Sequence, residues 1–287
     1  MTGQLTMDGP DDLRLLTAVG AVDRRCVGGA VIYLESTDST NLQARRLAEG
    51  GAPEGTLVIA DEQTAGRGRM GRSWASPPGV NLYLSLVLRP PIAAHQAPQV
   101  TLLSSLAVAE AVESCFGLAA EVKWPNDVLV GGRKIAGLLG EIAASMAGVD
   151  FIILGMGINV NMDCRQLPPR PLYPATSIAI EKGEKVARLP LAEQVLARLD
   201  FHYGVFLKEG FAPVRRLWQE RCAMLGRRIE VDNGGDIIRG EAFAIDEGGA
   251  LLLRLPTGRV ERLLSGDILS VAPLSERCSR IGRTDAG

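Results

Sequence analysis

Glu121-Val-Lys-Trp-Pro-Asn-Asp-Val-Leu-Val-Gly-Gly-Arg-Lys-Ile-Ala-Gly-Leu-Leu-Gly-Glu-Ile142 holds three strand-like runs, 121–124, 128–130 and 134–142. Pro125 fixes a turn after the first, and Gly131-Gly132 between the other two is a two-residue hairpin signature. Upstream, Leu103, Leu106, Val108, Ala109, Val112 and Phe116 return at helical spacing over 101–116, and Gly117 closes that helix. Asn81–Leu88 alternates as a half-buried strand should, and 31–34 and 56–60 read as further strands. Ser36-Thr-Asp-Ser-Thr-Asn41 supplies a choice of N-cap residues for a helix over 42–49, which Gly50-Gly51 ends. Downstream, 151–156 is a buried strand, 163–175 a Pro/Arg-rich surface loop, and 191–207 and 214–222 are helical. Strands and helices interspersed in this way predict an α/β chain with a mixed sheet flanked by helices.

After Leu225-Gly226 the texture changes. Short apolar runs at 228–231, 237–243, 250–255, 260–264 and 268–271 are separated by Asn233-Gly-Gly235, Glu247-Gly-Gly249 and Thr257-Gly258, which predicts a small β-barrel. The expected organisation is an extension over 1–28, a main domain over 29–222, a small β domain over 223–275 and a tail over 276–287.

With 31 Lys and Arg against 33 Asp and Glu, the net charge is −2, which disfavours nucleic-acid binding by bulk charge. Two histidines, His95 and His202, leave little room for His-based metal sites or His-centred triads; His202 lies on an apolar stripe and reads as core. Five widely spaced cysteines form no Cys-x-x-Cys pair, and no apolar stretch reaches the roughly 20 residues of a spanning helix. The expectation is a cytoplasmic protein with no membrane partner. One asymmetry stands out: no carboxylate occurs from Gln63 to Ala109, while Arg67, Arg69, Arg72 and Arg89 all fall there. Such a window suggests one anion held at one place.

Gly66-Arg-Gly-Arg-Met-Gly-Arg72 is the most unusual segment in that window. Its glycines let backbone N–H groups approach a ligand, and its arginines favour bidentate contacts to phosphate or carboxylate. The alternative is a solvated surface loop or a Gly/Arg RNA-binding tract, although the latter should interleave aromatics and this one has none. In Lys123-Trp-Pro-Asn-Asp127 and Arg133-Lys-Ile-Ala-Gly137, Asn126 and Asp127 stand at a strand end and Lys134 just past the hairpin. A Pro-Asn-Asp turn with a surface lysine would look the same. Gly155-Met-Gly-Ile-Asn159 after a strand resembles half of a glycine fingerprint, and Ser39-Thr40-Asn41 reads as a helix cap.

Taken together and in order, these segments resemble the biotin protein ligases. The resemblance rests on Asp38-Ser-Thr-Asn41, Gln63-x-x-Gly-Arg-Gly-Arg-x-Gly-Arg72 with Trp74, Asn81-Leu-Tyr-Leu-Ser85, Lys123-Trp-Pro-Asn-Asp127, Arg133-Lys-x-Ala-Gly137 and Gly157-Ile-Asn159. It runs from about Val31 to Asn161 and more weakly to about residue 272. It implies a class II synthetase-like catalytic domain, an SH3-like C-terminal barrel and a two-step reaction. ATP and biotin form biotinyl-5′-AMP, and a lysine of a biotin carboxyl carrier protein domain then takes the biotin, with Mg²⁺ accompanying ATP.

Carried over, Ser39, Thr40, Asn41 and Gln63 would meet the biotin head group, and the backbone at Arg67-Gly68 would run along it. Arg69, Arg72 and Lys134 would meet carboxylate and phosphate, with Arg69 and Lys134 as catalytic groups. Asn126, Asp127 and Asn159 would face the nucleotide and its Mg²⁺, and Trp74 would pack on the loop as it closes. Some relatives place an adenine-stacking aromatic near 163–185, where this chain has no tryptophan. Relatives that also repress transcription carry a DNA-binding domain ahead of the catalytic one. Only 30 residues precede Val31 here, so the resemblance implies the monofunctional form, without DNA as a partner. The family's exposed strand edges permit a homodimer.

Overall fold

The computed structural model describes residues 13–19, 26–146, 148–168 and 173–272. The expected tail, most of the N-terminal extension and Pro169 and Pro171 of the Pro-rich loop lie outside them. The elements are α1 (Leu15–Val19), β1 (Ala30–Thr37), α2 (Thr40–Glu49), β2 (Thr56–Gln63), β3 (Leu82–Leu88), α3 (Pro98–Phe116), β4 (Ala120–Lys123), β5 (Asp127–Val130), β6 (Arg133–Ser145), β7 (Gly148–Ile158), α4 (Ile178–Lys182), α5 (Arg188–Glu209) and α6 (Ala212–Glu220). Five strands follow: β8 (Arg227–Asn233), β9 (Asp236–Ile245), β10 (Leu251–Arg254), β11 (Val260–Leu263) and β12 (Asp267–Val271).

The main sheet has the order β1-β2-β3-β7-β6-β5-β4; β1 and β2 are parallel and every other pair antiparallel. The opening stretch supplies one edge of it. Gly131 and Gly132 take φ of 55° and 71°, the left-handed pair that a tight β5–β6 hairpin needs. α3 and α5 pack one face, and Ala44 and Ala48 of α2 cover Val58, Val87, Phe151 and Ile153 on the other. β3 is consequently buried along its whole length rather than half-buried, because its alternating polar side, Tyr83 and Ser85, is turned under α2 and its neighbours.

The five C-terminal strands form an antiparallel sheet in the order β11-β10-β9-β8-β12. The expected closed barrel is thus replaced by an open sheet with β11 and β12 at its edges, bent by bulges at Leu252/Leu253 and Ile268/Ser270. This sheet is docked on the main domain: Trp124 Nε1 donates to Gly249 O at 3.2 Å and Gln99 Nε2 to Glu247 O at 2.7 Å. One hydrophobic core runs through both parts.

Candidate active site

A cavity of about 790 Å³ opens where β6 and β7 meet the loop after β2. Ser39, Thr40, Asn41, Gln63, Arg67, Gly68, Arg69, Arg72, Trp74, Asn126, Asp127, Lys134 and Asn159, all singled out from the sequence, line it together. Arg89 does not: it donates to Ala48 O and Ala52 O at the end of α2 and to Asp150 O. Arg259 and Arg262 of the C-terminal sheet region pair with Glu261 and Asp246.

The Gly/Arg segment is a small hairpin. Gly68 N donates to Arg72 O at 2.7 Å and Trp74 N to Gly66 O at 2.9 Å, so these N–H groups are spent within the loop. Met70 turns it with φ 53°. The three arginine side chains each meet a carboxylate. Arg72 reaches Asp267 Oδ1 at 2.8 Å, and Arg69 lies 3.7 Å from the same oxygen and donates to Asn126 Oδ1 at 3.2 Å. Arg67 pairs with Glu141 at 3.2 Å. The carboxylates missing from the window in sequence are thus returned to it in space from β6 and β12.

One wall is a hydrogen-bonded chain at the start of α2. Ser39 occupies the N-cap position without a side-chain cap bond; instead Thr40 N and Thr40 Oγ1 donate to Gln63 Oε1 at 2.9 and 3.0 Å. Ser85 Oγ lies 2.7 Å from Thr40 Oγ1 and 2.6 Å from Asn41 Oδ1, and Asn41 Nδ2 donates to Glu141 Oε2 at 3.1 Å. These polar side chains are oriented by one another, as a site for a neutral polar ligand requires.

The floor is made of glycines. A Cβ on Gly157 would lie 2.5 Å from Trp74 Cε2, one on Gly137 2.9 Å from Trp74 Cζ3, and one on Gly155 2.1 Å from Asn41 Oδ1. Gly155 and Gly157 are therefore mid-strand gaps for Asn41 and Trp74, not the half-fingerprint that their spacing suggests.

Asp127 is clamped at the opposite wall, with Lys134 Nζ 2.6 Å from Oδ1 and Lys123 Nζ 3.2 Å from Oδ2. Burial alone would raise the Asp127 carboxyl, but the two ammonium groups outweigh it and hold it below its ordinary range. Burial pushes Lys123 below the usual lysine value against the pull of Asp127. The side-chain amides of Asn126 and Asn159 are held in place through their nitrogens. Asn126 Nδ2 donates to Leu138 O at 2.7 Å, and Asn159 Nδ2 to Thr176 O at 3.0 Å. Lys123, Arg165, Tyr173 and Asp267 line the cavity and Glu141 binds Asn41 and Arg67, and the sequence did not single these five out as site residues. Lys123 stands inside the Lys123-Trp-Pro-Asn-Asp127 motif, and Tyr173 is an aromatic within 163–185; neither Asp267 nor Glu141 carries a local signal.

Fold and cavity together define an α/β protein with an appended β domain and a cavity lined by arginines and lysines. Residues 33–159 match the Biotin/lipoate A/B protein ligase family and 224–269 the biotin protein ligase C-terminal domain. The chain is 38% identical over 242 residues to the bifunctional ligase/repressor BirA of Bacillus subtilis, covering 84% of this chain and 74% of that one. It is 39% identical over 236 residues to the biotin–[acetyl-CoA-carboxylase] ligase of Paracoccus denitrificans, covering 79% and 95%. Among solved structures, the biotin protein ligase of Aquifex aeolicus in complex with biotin and ATP superposes with a TM-score of 0.72 at 32% identity, over 84% of this chain and 98% of that one. The chain belongs to the biotin protein ligase family.

Proposed function

We propose that this protein activates biotin with ATP and passes it to a lysine of a biotin carboxyl carrier protein domain. In the first step a biotin carboxylate oxygen bonds to the α-phosphorus, pyrophosphate departs and biotinyl-5′-AMP remains. In the second, the carrier lysine nitrogen bonds to the biotinyl carbonyl carbon, AMP leaves and the amine gives up its proton. Both reactants of the first step are anions, so the demand is for positioning and charge neutralisation. The observation that carries the reading is the cavity's lining: Arg67, Arg69, Arg72, Lys123, Lys134 and Arg165 against two carboxylates, Asp127 and Asp267.

In this reading Ser39, Thr40, Asn41 and Gln63 hold the ureido edge of biotin, and the Arg67-Gly68 backbone flanks it. Arg69, Arg72 and Lys134 neutralise carboxylate and phosphate, while Asn126, Asp127 and Asn159 line the nucleotide end. Trp74 closes over the bound intermediate. A resident metal does not fit. Among the described residues no group of three His, Cys, Asp or Glu converges, and Asp127 is already held by two cations. Magnesium then belongs to the substrate, arriving with the phosphates of ATP. The main domain is read as 29–222 and the C-terminal one as 223–275, an SH3-like unit; the change from helix α6 to the all-β strands from 227 supports this.

The test is pyrophosphate release with biotin, ATP and Mg²⁺, followed by mass analysis of an added carrier domain. Biotin on one carrier lysine is expected; turnover with octanoate or lipoate in place of biotin would move the chain to the other branch of its family. Lys134→Ala should lower adenylate formation by about 10²–10³ while the thermal transition persists.

A further inference from the structure

Lys123 and Asp127 face each other in the β4–β5 register, so both side chains stand on one face. Lys134 reaches the same carboxylate from β6, next to a bulge at Val128/Leu129. Two ammonium groups thus share one buried carboxylate, and they are not equivalent. Lys123 is 5% exposed, and its Nζ sits between Asp127 and the Tyr173 ring, 4.5 Å from the ring centroid. Lys134 has 23% of its side chain exposed. It lies over Gly137, where a Cβ would come within 3.0 Å of its Nζ.

Of the two lysines, Lys134 is the more exposed and so the one placed to turn toward a ligand. If it did so alone, it would leave a bare carboxylate in a low-dielectric wall, which is costly. We infer that Lys123 is a positioning residue of this site: it keeps Asp127 neutralised when Lys134 leaves that carboxylate for the anionic substrates. This rests on the ligase reading for the identity of those anions, not for the charge arrangement itself. No proton is transferred; one ion pair is exchanged for another.

Without Lys123, Asp127 should hold Lys134 tightly; with Asp127 also neutralised, Lys134 is free again. The experiment compares Lys123→Met, Lys123→Arg and the double variant Lys123→Met/Asp127→Asn. The readouts are kcat and KM for pyrophosphate release and the rate at which acetic anhydride acylates Lys134 in the protein alone, measured by peptide mass spectrometry. Lys123→Met should lower kcat by about 30-fold and slow Lys134 acylation several-fold, and the double variant should regain about tenfold in kcat. Lys123→Arg should stay within about threefold of the parent in kcat. A merely structural lysine predicts a lowered Tm for Lys123→Met with the Lys134 acylation rate of the folded protein unchanged. A double variant no faster than Lys123→Met, or unchanged acylation in Lys123→Met, overturns the inference. The acylation arm needs no turnover: its expected pattern in a parent protein that released no pyrophosphate would uphold the charge arrangement and refute the ligase reading alone.

Discussion

Gly155→Ala tests the glycine floor. Gly155 is paired with Ser85 on one side and Leu139 on the other, so its strand has no room to shift. The new Cβ would lie 2.1, 2.9 and 3.0 Å from Oδ1, Cγ and Nδ2 of Asn41, and the amide must turn away. That breaks the Ser85 contact at 2.6 Å, a neutral bond of about 1 kcal/mol, and the bond to Glu141 at 3.1 Å, a charge-assisted one of about 2 kcal/mol. The lower backbone entropy of alanine returns about 0.5–1 kcal/mol. The net loss is about 2–2.5 kcal/mol, or about 4–10 °C in Tm for a chain of this size. Calorimetry should find that drop together with weakened biotin binding, since Asn41 faces the cavity. Gly29→Ala is the control: an added Cβ there meets nothing within 4 Å, and Tm should hold. A Gly155→Ala protein that melts within about a degree of the parent and binds biotin equally well would refute the packing argument.

Asp267→Asn removes the carboxylate that Arg69 and Arg72 share. Because Arg72 is well exposed, the loosening is modest, and trypsin should cut the 66–72 loop about fivefold faster, read from the cleavage time course. Acid should destabilise the fold through Asp127 and Asp246. In Asp127, burial raises the carboxyl but Lys134 and Lys123 lower it further; in Asp246, burial is likewise outweighed, here by Arg262 and backbone N–H groups. Folded values below unfolded ones mean that the stability is present above about pH 4 and lost as pH falls through the depressed values, which denaturant midpoints from pH 6 to 3 would register. A flat midpoint over that range would contradict the assignment. Burial pushes the Cys222 thiol up to about 12, so at pH 8 a disulfide reagent should label exposed Cys115 and Cys164 and spare Cys222 until the protein unfolds.

The order and type of the elements were readable because they follow from local rules. The apolar period of α3 ends at a left-handed Gly117, and Gly131-Gly132 turns one strand into the next. The motif residues were readable too, as unusual types at unusual spacing. What each does in the folded chain depended on long-range packing. Arg89 looked like part of an anion site and instead satisfies carbonyls at the end of α2. Gly155 and Gly157 looked like a phosphate turn and are the floor under Asn41 and Trp74. The five C-terminal strands were evident from their turns, but their open edge was not, because closure depends on bulges and on docking to the main domain.

By itself, then, the sequence determined an α/β chain with a β appendix and one arginine-rich, carboxylate-free window. Only the tertiary structure decided how that window is balanced: Glu141 and Asp267, the latter 195 residues from Arg72, bring the missing charge to it, and Asp127 sets Lys134 against Lys123. Charge acts through distance in space, and separation along the chain says nothing about that until the sheet has placed its strands side by side.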